Sequence, residues 1–306
     1  MTSLPVPPPP PPKATPAAGP SARCESGPFT RTGNTADETS FEFPDSTSER
    51  GSVSLKAIVR QYAGTSHSRS VPAKQLYMIL GRLRCLNYAI SKYNEGVLSP
   101  DPSFLQYWQR RTLNQLSGFG FQVQSVHQSI TIAGLSELIH SVEEVFAHDI
   151  SAAHELIKGK LVTFDALGEL YSHDRAVQGK TSLGGSAGVF LVTEYYFEEH
   201  RSLVGMEKSF HITMDFVATM GQHFTVVSFT EVLSGWMGVR ARPLSDLTYI
   251  PVDPSDYDDL VSRGERYTRF GTGGAQFLAY RPSSFSLHFS GKGGASSSLS
   301  RFNLIT

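Results

Sequence analysis

Phe210-His211-Ile212-Thr213-Met214-Asp215-Phe216 alternates apolar and polar residues without a break. A period of two is the mark of a strand with one face in a core and the other toward water. Met220-Gly221-Gln222-His223 can reverse the chain, and Phe224 to Phe229 resumes the β-rich composition. The three pieces together predict a β-hairpin. On either side the pattern continues. Val189 to Phe197, rich in Val, Phe and Tyr, predicts another strand, as do Tyr249 to Val252 and Phe277 to Tyr280. Leu161-Val162-Thr163-Phe164 and Leu167 to Tyr171 form a further apolar, strand-like piece. Residues 154–281 therefore read as a β-rich unit.

Upstream the period changes. Leu76, Ile79, Leu80, Leu83, Leu86, Ile90 and Tyr93 recur every three or four residues, which predicts one helix from Pro72 to Tyr93 with Gly96 just past its end. Ser99-Pro100-Asp101-Pro102-Ser103 interrupts the chain, and a second helix is expected from Phe104 to a stop before Gly118. Phe121 to Ile132 alternates imperfectly, as a weak strand would. Leu135, Leu138, Ile139, Val142 and Phe146 mark a third helix, and Ser151 to Lys158 a fourth with Ser151 as its cap. Residues 71–153 read as helical. Within the β-rich unit, Asp253 to Gly264 reads as one capped helix: Asp253 as N-cap, Pro254 in the first turn and Gly264 as the left-handed residue after the end. The fold class is α+β, N-terminal helices followed by a mostly antiparallel β-rich unit.

The two ends read differently. Residues 1–70 carry the uninterrupted run Pro7 to Pro12 and then mainly Ser, Thr, Gly, Asp and Glu, a composition that predicts disorder; Val53 to Tyr62 is its one apolar exception. The proline run suits an SH3, WW or profilin-type groove, and it also suits a solvated tail. Residues 282–306, rich in Ser and Gly, predict a second disordered tail.

Among 306 residues, 40% hydrophobic content with 19 Phe and 12 Tyr is ample for a core. Lys+Arg 27 against Asp+Glu 28 gives a net charge of −1, so no global attraction to nucleic acid or an anionic membrane is expected. Cys24 and Cys85 make neither a disulfide framework nor a cysteine-based zinc site. No stretch has the apolar length of a signal sequence or a membrane helix. The expectation is an intracellular protein, in cytoplasm or nucleus, with no membrane insertion.

Four patterns bear on chemistry. Gly179-Lys180-Thr181 resembles the end of a phosphate-binding loop, but Asp174 occupies the position of its first Gly, and Ala166 stands where a catalytic Glu would follow Leu161-Val162-Thr163-Phe164-Asp165. Gly184-Gly185-Ser186-Ala187-Gly188 matches a hydrolase nucleophile elbow by letters, yet it lacks the strand-before, helix-after order that aims the serine. His148 and His154 are six apart, a poor match to one helical face, and the acids after Asp253 lack the Gly and distal Glu of a calcium loop. Tyr107-Trp108-Gln109-Arg110-Arg111 mixes aromatic and basic groups as a single-strand binder does, but Trp108 on an apolar helix face flanked by solvated arginines accounts for it better, and no nucleic-acid partner is expected. No catalytic, cofactor-binding or metal residue is expected. The rival readings are a serine hydrolase using Ser186 with His200 or His211 as base, and a scaffold protein whose functional element is the proline-rich tail.

From Gly159-Lys160-Leu161-Val162-Thr163-Phe164-Asp165-Ala166-Leu167, through Arg242-Pro243-Leu244 and Leu247 to Pro251-Val252, Arg263-Gly264 and Phe277-Leu278-Ala279-Tyr280, the chain resembles the uncharacterised domain that precedes the ATPase module in large fungal AAA-type ATPases. Gly168 stands where that domain usually has Trp, and Leu233-Ser234-Gly235 where it has Phe-x-Gly. About 130 residues are covered by the resemblance. It implies a domain that recruits substrates or adaptors and no catalysis by this chain, whose sequence has no counterpart of the ATPase residues. Such a domain precedes an ATPase, whereas this sequence reaches Thr306 without one. A truncated front end and a stand-alone domain both fit.

Overall fold

A computed structural model describes residues 27–44, 53–65, 69–98, 102–119, 129–173, 175–179, 188–202, 205–220, 223–236 and 240–271. Its elements bear out the α+β class, N-terminal helices before a five-stranded antiparallel sheet.

The first unexpected feature lies within the stretch assigned to the N-terminal tail. β1 (Thr30–Thr32), β2 (Ser40–Glu42) and β3 (Ser70–Pro72) pair antiparallel in the order β1-β2-β3, and α1 (Leu55–Ala63) lies between the last two in sequence. The expectation of disorder over residues 1–70 is therefore corrected for 27–44, whereas α1 takes up the apolar exception Val53 to Tyr62. Phe41, Ile58, Val59 and Val71 are fully buried, and Phe29 packs its ring on Phe41 and Phe43. A few aromatic and branched residues, spaced widely in a polar stretch, are enough because the helices that follow supply the opposing surface. α1 carries its own stop and start signals: the Ser54 hydroxyl accepts from Ala57 N–H, and Gly64 takes the left-handed conformation at φ 66°. Pro7 to Pro12 and Cys24 lie outside the described residues, as do residues 282–306 and the segment Phe277 to Tyr280.

The predicted helix from Pro72 to Tyr93 is two. α2 (Ala73–Met78) ends at Ile79, and α3 (Leu80–Leu98) runs on past Gly96. Pro72 closes β3 and precedes α2 with φ −59° and ψ 142°, so proline serves the junction without sitting in the helix. α4 (Pro102–Ser117) starts two residues before expected, α5 (Leu135–Val145) matches its periodicity, and α6 (Ala147–Lys158) begins upstream of Ser151, which is therefore inside the helix and not its cap. Residues 120–128, most of the expected weak strand, lie outside the described residues.

β4 (Leu161–Val162) pairs with β9 (Arg242–Pro243). Leu167 to Tyr171 is not a strand: Leu167–Leu170 forms α7, with Leu167, Leu170 and Tyr171 buried together at helical spacing. The large sheet comprises β5 (Ala176–Gly179), β6 (Gly188–Ser202), β7 (Gly205–Met220), β8 (His223–Ser234) and β10 (Tyr249–Pro251), in the order β10-β5-β6-β7-β8. Phe210, Ile212 and Met214 are fully buried, as their alternation predicts, and β7 pairs with β8 from Ser209↔Ser234 to Met220↔His223. Downstream, Asp253 caps a 3-10 turn (Pro254–Asp256) by accepting from Ser255 N–H, and α8 (Tyr257–Gly271) follows. Gly264 lies inside α8 with an ordinary helical backbone, so the helix end expected there is corrected.

Two apolar clusters form. One joins β2, α1, β3, α2, α3 and α5; the other joins α7, β5, β6, β7 and β10. α3 takes part in both: Leu80, Leu83, Leu86, Ile90 and Tyr93 enter the first, and Cys85 the second. It lies so close to β6 that a Cβ on Gly81 would stand 2.3 Å from both the Tyr195 backbone oxygen and its ring. Gly81 and Cys85, one turn apart, are the small residues that permit this approach.

Candidate functional site

A polar junction fixes the sheet against α4. Register slips by one residue in β6 between Val192 and Glu194, leaving Thr193 as the extra residue of a β-bulge. Arg111 Nη2 donates to the Thr193 carbonyl at 2.7 Å, and Nη1 lies 3.0 Å from Asp215 Oδ2. Tyr107 donates to the same oxygen at 3.0 Å, and Ser228 donates to Asp215 Oδ1 at 2.6 Å. Asp215 thus has a hydrogen-bond donor for each oxygen despite being buried, as a charge withdrawn from water requires. Burial and then the Asp215 charge push the Tyr107 phenol up to about 12. Arg111, expected among the solvated side chains, is a structural tie. Arg110 is exposed, and Trp108 is buried, as the bland account of that aromatic-basic segment had it.

Arg82 makes a second tie, its Nε 2.7 Å from a Glu194 oxygen and its guanidinium 3.4 Å from the Tyr196 ring centre. The Arg84 guanidinium spans Glu143 at 2.8 Å and Glu169 at 2.9 Å, and His154 lies 3.3 Å from the other Glu169 oxygen. The last group borders an open depression of ≈ 400 Å³ lined by Ser151, His154, Glu155, Lys158, Glu169 and Arg175 among others. A second, of ≈ 430 Å³, lies between Gln178 and the Asp256, Asp259, Arg263 and Arg266 side chains. Each mixes both signs of charge and neither encloses a small molecule.

Of the residues weighed for catalysis, Ser186, Asp174, Lys180 and Thr181 lie outside the described residues. His200 faces Glu207 at 3.3 Å. His211 stacks on Tyr196, approaches Ser209 Oγ at 3.0 Å and Glu198 at 3.1 Å, and burial holds its imidazolium below the ordinary histidine range. Asp165, at the end of the strand-like Leu161 to Phe164 segment, pairs with Lys208. His148 and His154 have separate partners, Asp149 and Glu169. Among the described residues no group of three or more His, Cys, Asp and Glu side chains is placed to hold a metal ion, and no helix is long and apolar enough to cross a membrane.

The sheet's outer edge is a different kind of surface. β8 is terminal in the strand order, so among the described residues no strand pairs with its outer side. Which groups it presents follows from one bond beyond its end. Gly235 N–H donates to the Lys208 carbonyl at 2.9 Å, directly opposite in register. In an antiparallel ladder opposed residues alternate between bonded and non-bonded pairs. Odd-numbered residues of β8 therefore bond to β7, while Val226, Ser228, Thr230, Val232 and Ser234 turn their N–H and C=O groups outward. Their side chains fall on the face away from Met214 and Phe229. Val226 is 45% exposed, Val232 51%, and Val217, the register partner of Val226, 53%. Ordinary edge strands are blunted by Lys, Pro or a bulge. From Phe224 to Ser234 there is none of these, and Glu231 is the one charge.

No single residue of this edge stands out in the sequence, since strand order is not written in any one segment; the strand itself was legible in Phe224 to Phe229. No protein-family model, curated protein or solved structure matches the chain.

Proposed function

We propose that this chain is a non-catalytic protein-recognition domain, of the substrate- or adaptor-binding kind suggested by its resemblance to the domain preceding the ATPase in fungal AAA-type ATPases, and that β8 is its contact edge. The observation that carries the reading is the row of outward backbone donors and acceptors at Val226, Ser228, Thr230 and Val232, beside exposed valines. Adding a strand to such an edge satisfies main-chain groups and lets alternate side chains choose the partner. Elsewhere Arg111–Asp215 and Arg82–Glu194 tie helices to the sheet, and Arg84 ties α3 to α5 and α7.

Thr230→Pro tests it. The residue 230 N–H points outward, so proline there removes an edge donor and no main-chain bond to β7, only the Thr230–Thr213 hydroxyl contact, and edge strands accept proline in that position. Proteins that the wild type binds in a cell extract, identified by mass spectrometry, should be lost with Thr230→Pro. An unchanged set would sink the edge as the contact surface. Calorimetry is expected to show no saturable binding of Mg-ATP, in keeping with Asp174 and Ala166 at the two positions where nucleotide chemistry needs Gly and Glu.

A further inference from the structure

Resting on the protein-recognition reading, we propose that the strand taken up by β8 is the β8 of a second copy of this chain, paired antiparallel about a two-fold axis through Phe229, so that two five-stranded sheets become one.

The argument is one of register. A two-fold antiparallel pairing must join outward-facing residues to outward-facing residues, and here those are the even-numbered ones. With the axis at Phe229, residue i meets residue 458 − i of the other copy. Val226 then meets Val232, Ser228 meets Thr230, and Ser234 falls opposite Phe224. Val226 and Val232 are the exposed large apolar residues of β8, and they lie symmetrically about Phe229. Moving the axis to Ser228 or Thr230 pairs each valine with a different kind of residue: Val226 with Thr230 in one case and with Ser234 in the other. On the opposite face of the joined strands Glu231 meets Val227, so the acid of one copy does not face that of the other. An edge without lysine or proline carries no barrier to this pairing. Cross-strand Val–Val and Ser–Thr pairs are the side-chain matches that antiparallel ladders favour. The interface is short, a strand on each side, which places the complex among weak and reversible ones and makes association depend on concentration.

The register makes a test in which charge is exchanged across the axis. Within one chain residues 226 and 232 are about 20 Å apart along the strand, too far to interact; across the axis they are direct neighbours. Sedimentation equilibrium on the full chain should show the mass rising with concentration from 33.5 kDa toward twice that value. Val226→Lys with Val232→Lys places Lys opposite Lys at two sites and should leave a monomer at every concentration. Val226→Lys with Val232→Glu places Lys opposite Glu at both and should restore the dimer. Both substituted side chains stay in water in the monomer, and circular dichroism before sedimentation checks that each variant is folded. Hydrogen exchange supplies an independent readout: the amides of Val226, Ser228, Thr230 and Val232 should gain protection as concentration rises.

A wild-type monomer across the range overturns the proposal, as does a dimer indifferent to the double-lysine change, which would be built on another surface. A Lys/Glu variant as dissociated as the Lys/Lys one overturns this register. Protection of the four amides that persists at every dilution also overturns it, since the edge would then be covered from within the chain. In each case the broader reading is judged separately, by whether Thr230→Pro changes the set of other proteins captured.

Discussion

Gly81 gives the sharpest test of how α3 meets the sheet. Replacing it by alanine adds one methyl group, and that methyl would stand 2.3 Å from the Tyr195 backbone oxygen and 2.3 and 2.4 Å from two of its ring carbons. Non-bonded carbons rest at about 3.5–4.0 Å, so helix and strand must separate by more than an ångström or the Tyr195 ring must leave its place. The ring is fully enclosed, and its backbone belongs to the β6–β7 ladder, so neither moves alone. Overpacking of this kind costs about 1–3 kcal/mol, and the contact with a backbone atom puts Gly81 at the upper end. Against it stands the gain of about 1 kcal/mol when glycine in a helix becomes alanine. The net expectation for Gly81→Ala is a loss of about 2 kcal/mol. Gly264, inside α8, has nothing within 4 Å of an added Cβ. Gly264→Ala should show the propensity gain alone, raising stability by up to about 1 kcal/mol. Urea unfolding of both, followed by far-ultraviolet circular dichroism, compares the signs. If both substitutions stabilise, or both are neutral, α3 does not lie against Tyr195 and the account of the two clusters fails.

Asp215→Ala leaves the Arg111 guanidinium and the Tyr107 hydroxyl without their shared acceptor and should cost about 3–5 kcal/mol. Arg111→Met combined with Asp215→Leu should recover part of that loss, as a double-mutant cycle in denaturant would measure. His211 has its pKa lowered in the folded state, chiefly by burial, while Glu198 opposes the shift. The unfolded chain, at about 6.5, therefore binds the proton more readily, so this contribution is intact above that value and lost as pH falls through the window to the folded pKa. His211→Gln should flatten that part of a thermal-stability profile between pH 7.5 and 5.5, and an unchanged slope would refute it. Burial pushes the Cys85 thiol up to about 12; iodoacetamide at pH 8 should leave it unmodified in the native protein and label it in urea, as peptide mass mapping would show.

The strands and helices legible in advance are those whose periodicity is local. Phe210 to Phe216 reads as a strand because each residue faces the same layer it would in any half-buried sheet, and Leu135 to Phe146 reads as a helix for the same reason. The break at Ile79 was hidden because the apolar stripe from Leu76 to Tyr93 continues across it; what changes there is the neighbour, not the hydrophobicity. Gly81 within that stripe was the available sign of a close approach. Phe41 and Phe43 looked like isolated aromatics in a polar tail since their partners, Phe29 and the helices, are distant in sequence. Asp253 and its proline correctly marked a beginning, whereas Gly264 marked no end, because a glycine next to an arginine stops a helix only when the chain beyond it turns away. The position of β8 at the end of the strand order, unpaired on its outer side among the described residues, and the Arg111–Asp215 tie depend on strand order and on contacts across about a hundred residues, which no local pattern records.

The shared position of α3 bears on the order in which the molecule is made. Its first-cluster partners from β2 to α2 have all left the ribosome before it does, but β6 and β7 are synthesised roughly a hundred residues later, at the pace of about 5–20 residues per second. For several seconds Gly81 and Cys85 face water with no strand to receive them, and the Arg111 guanidinium has no Asp215. Contacts of such sequence separation close slowly. A nascent chain halted near residue 160 should therefore hold a helical unit with one raw side, the form most open to chaperones and to proteolysis, and release from that state should come only when the β6–β7 hairpin has emerged whole.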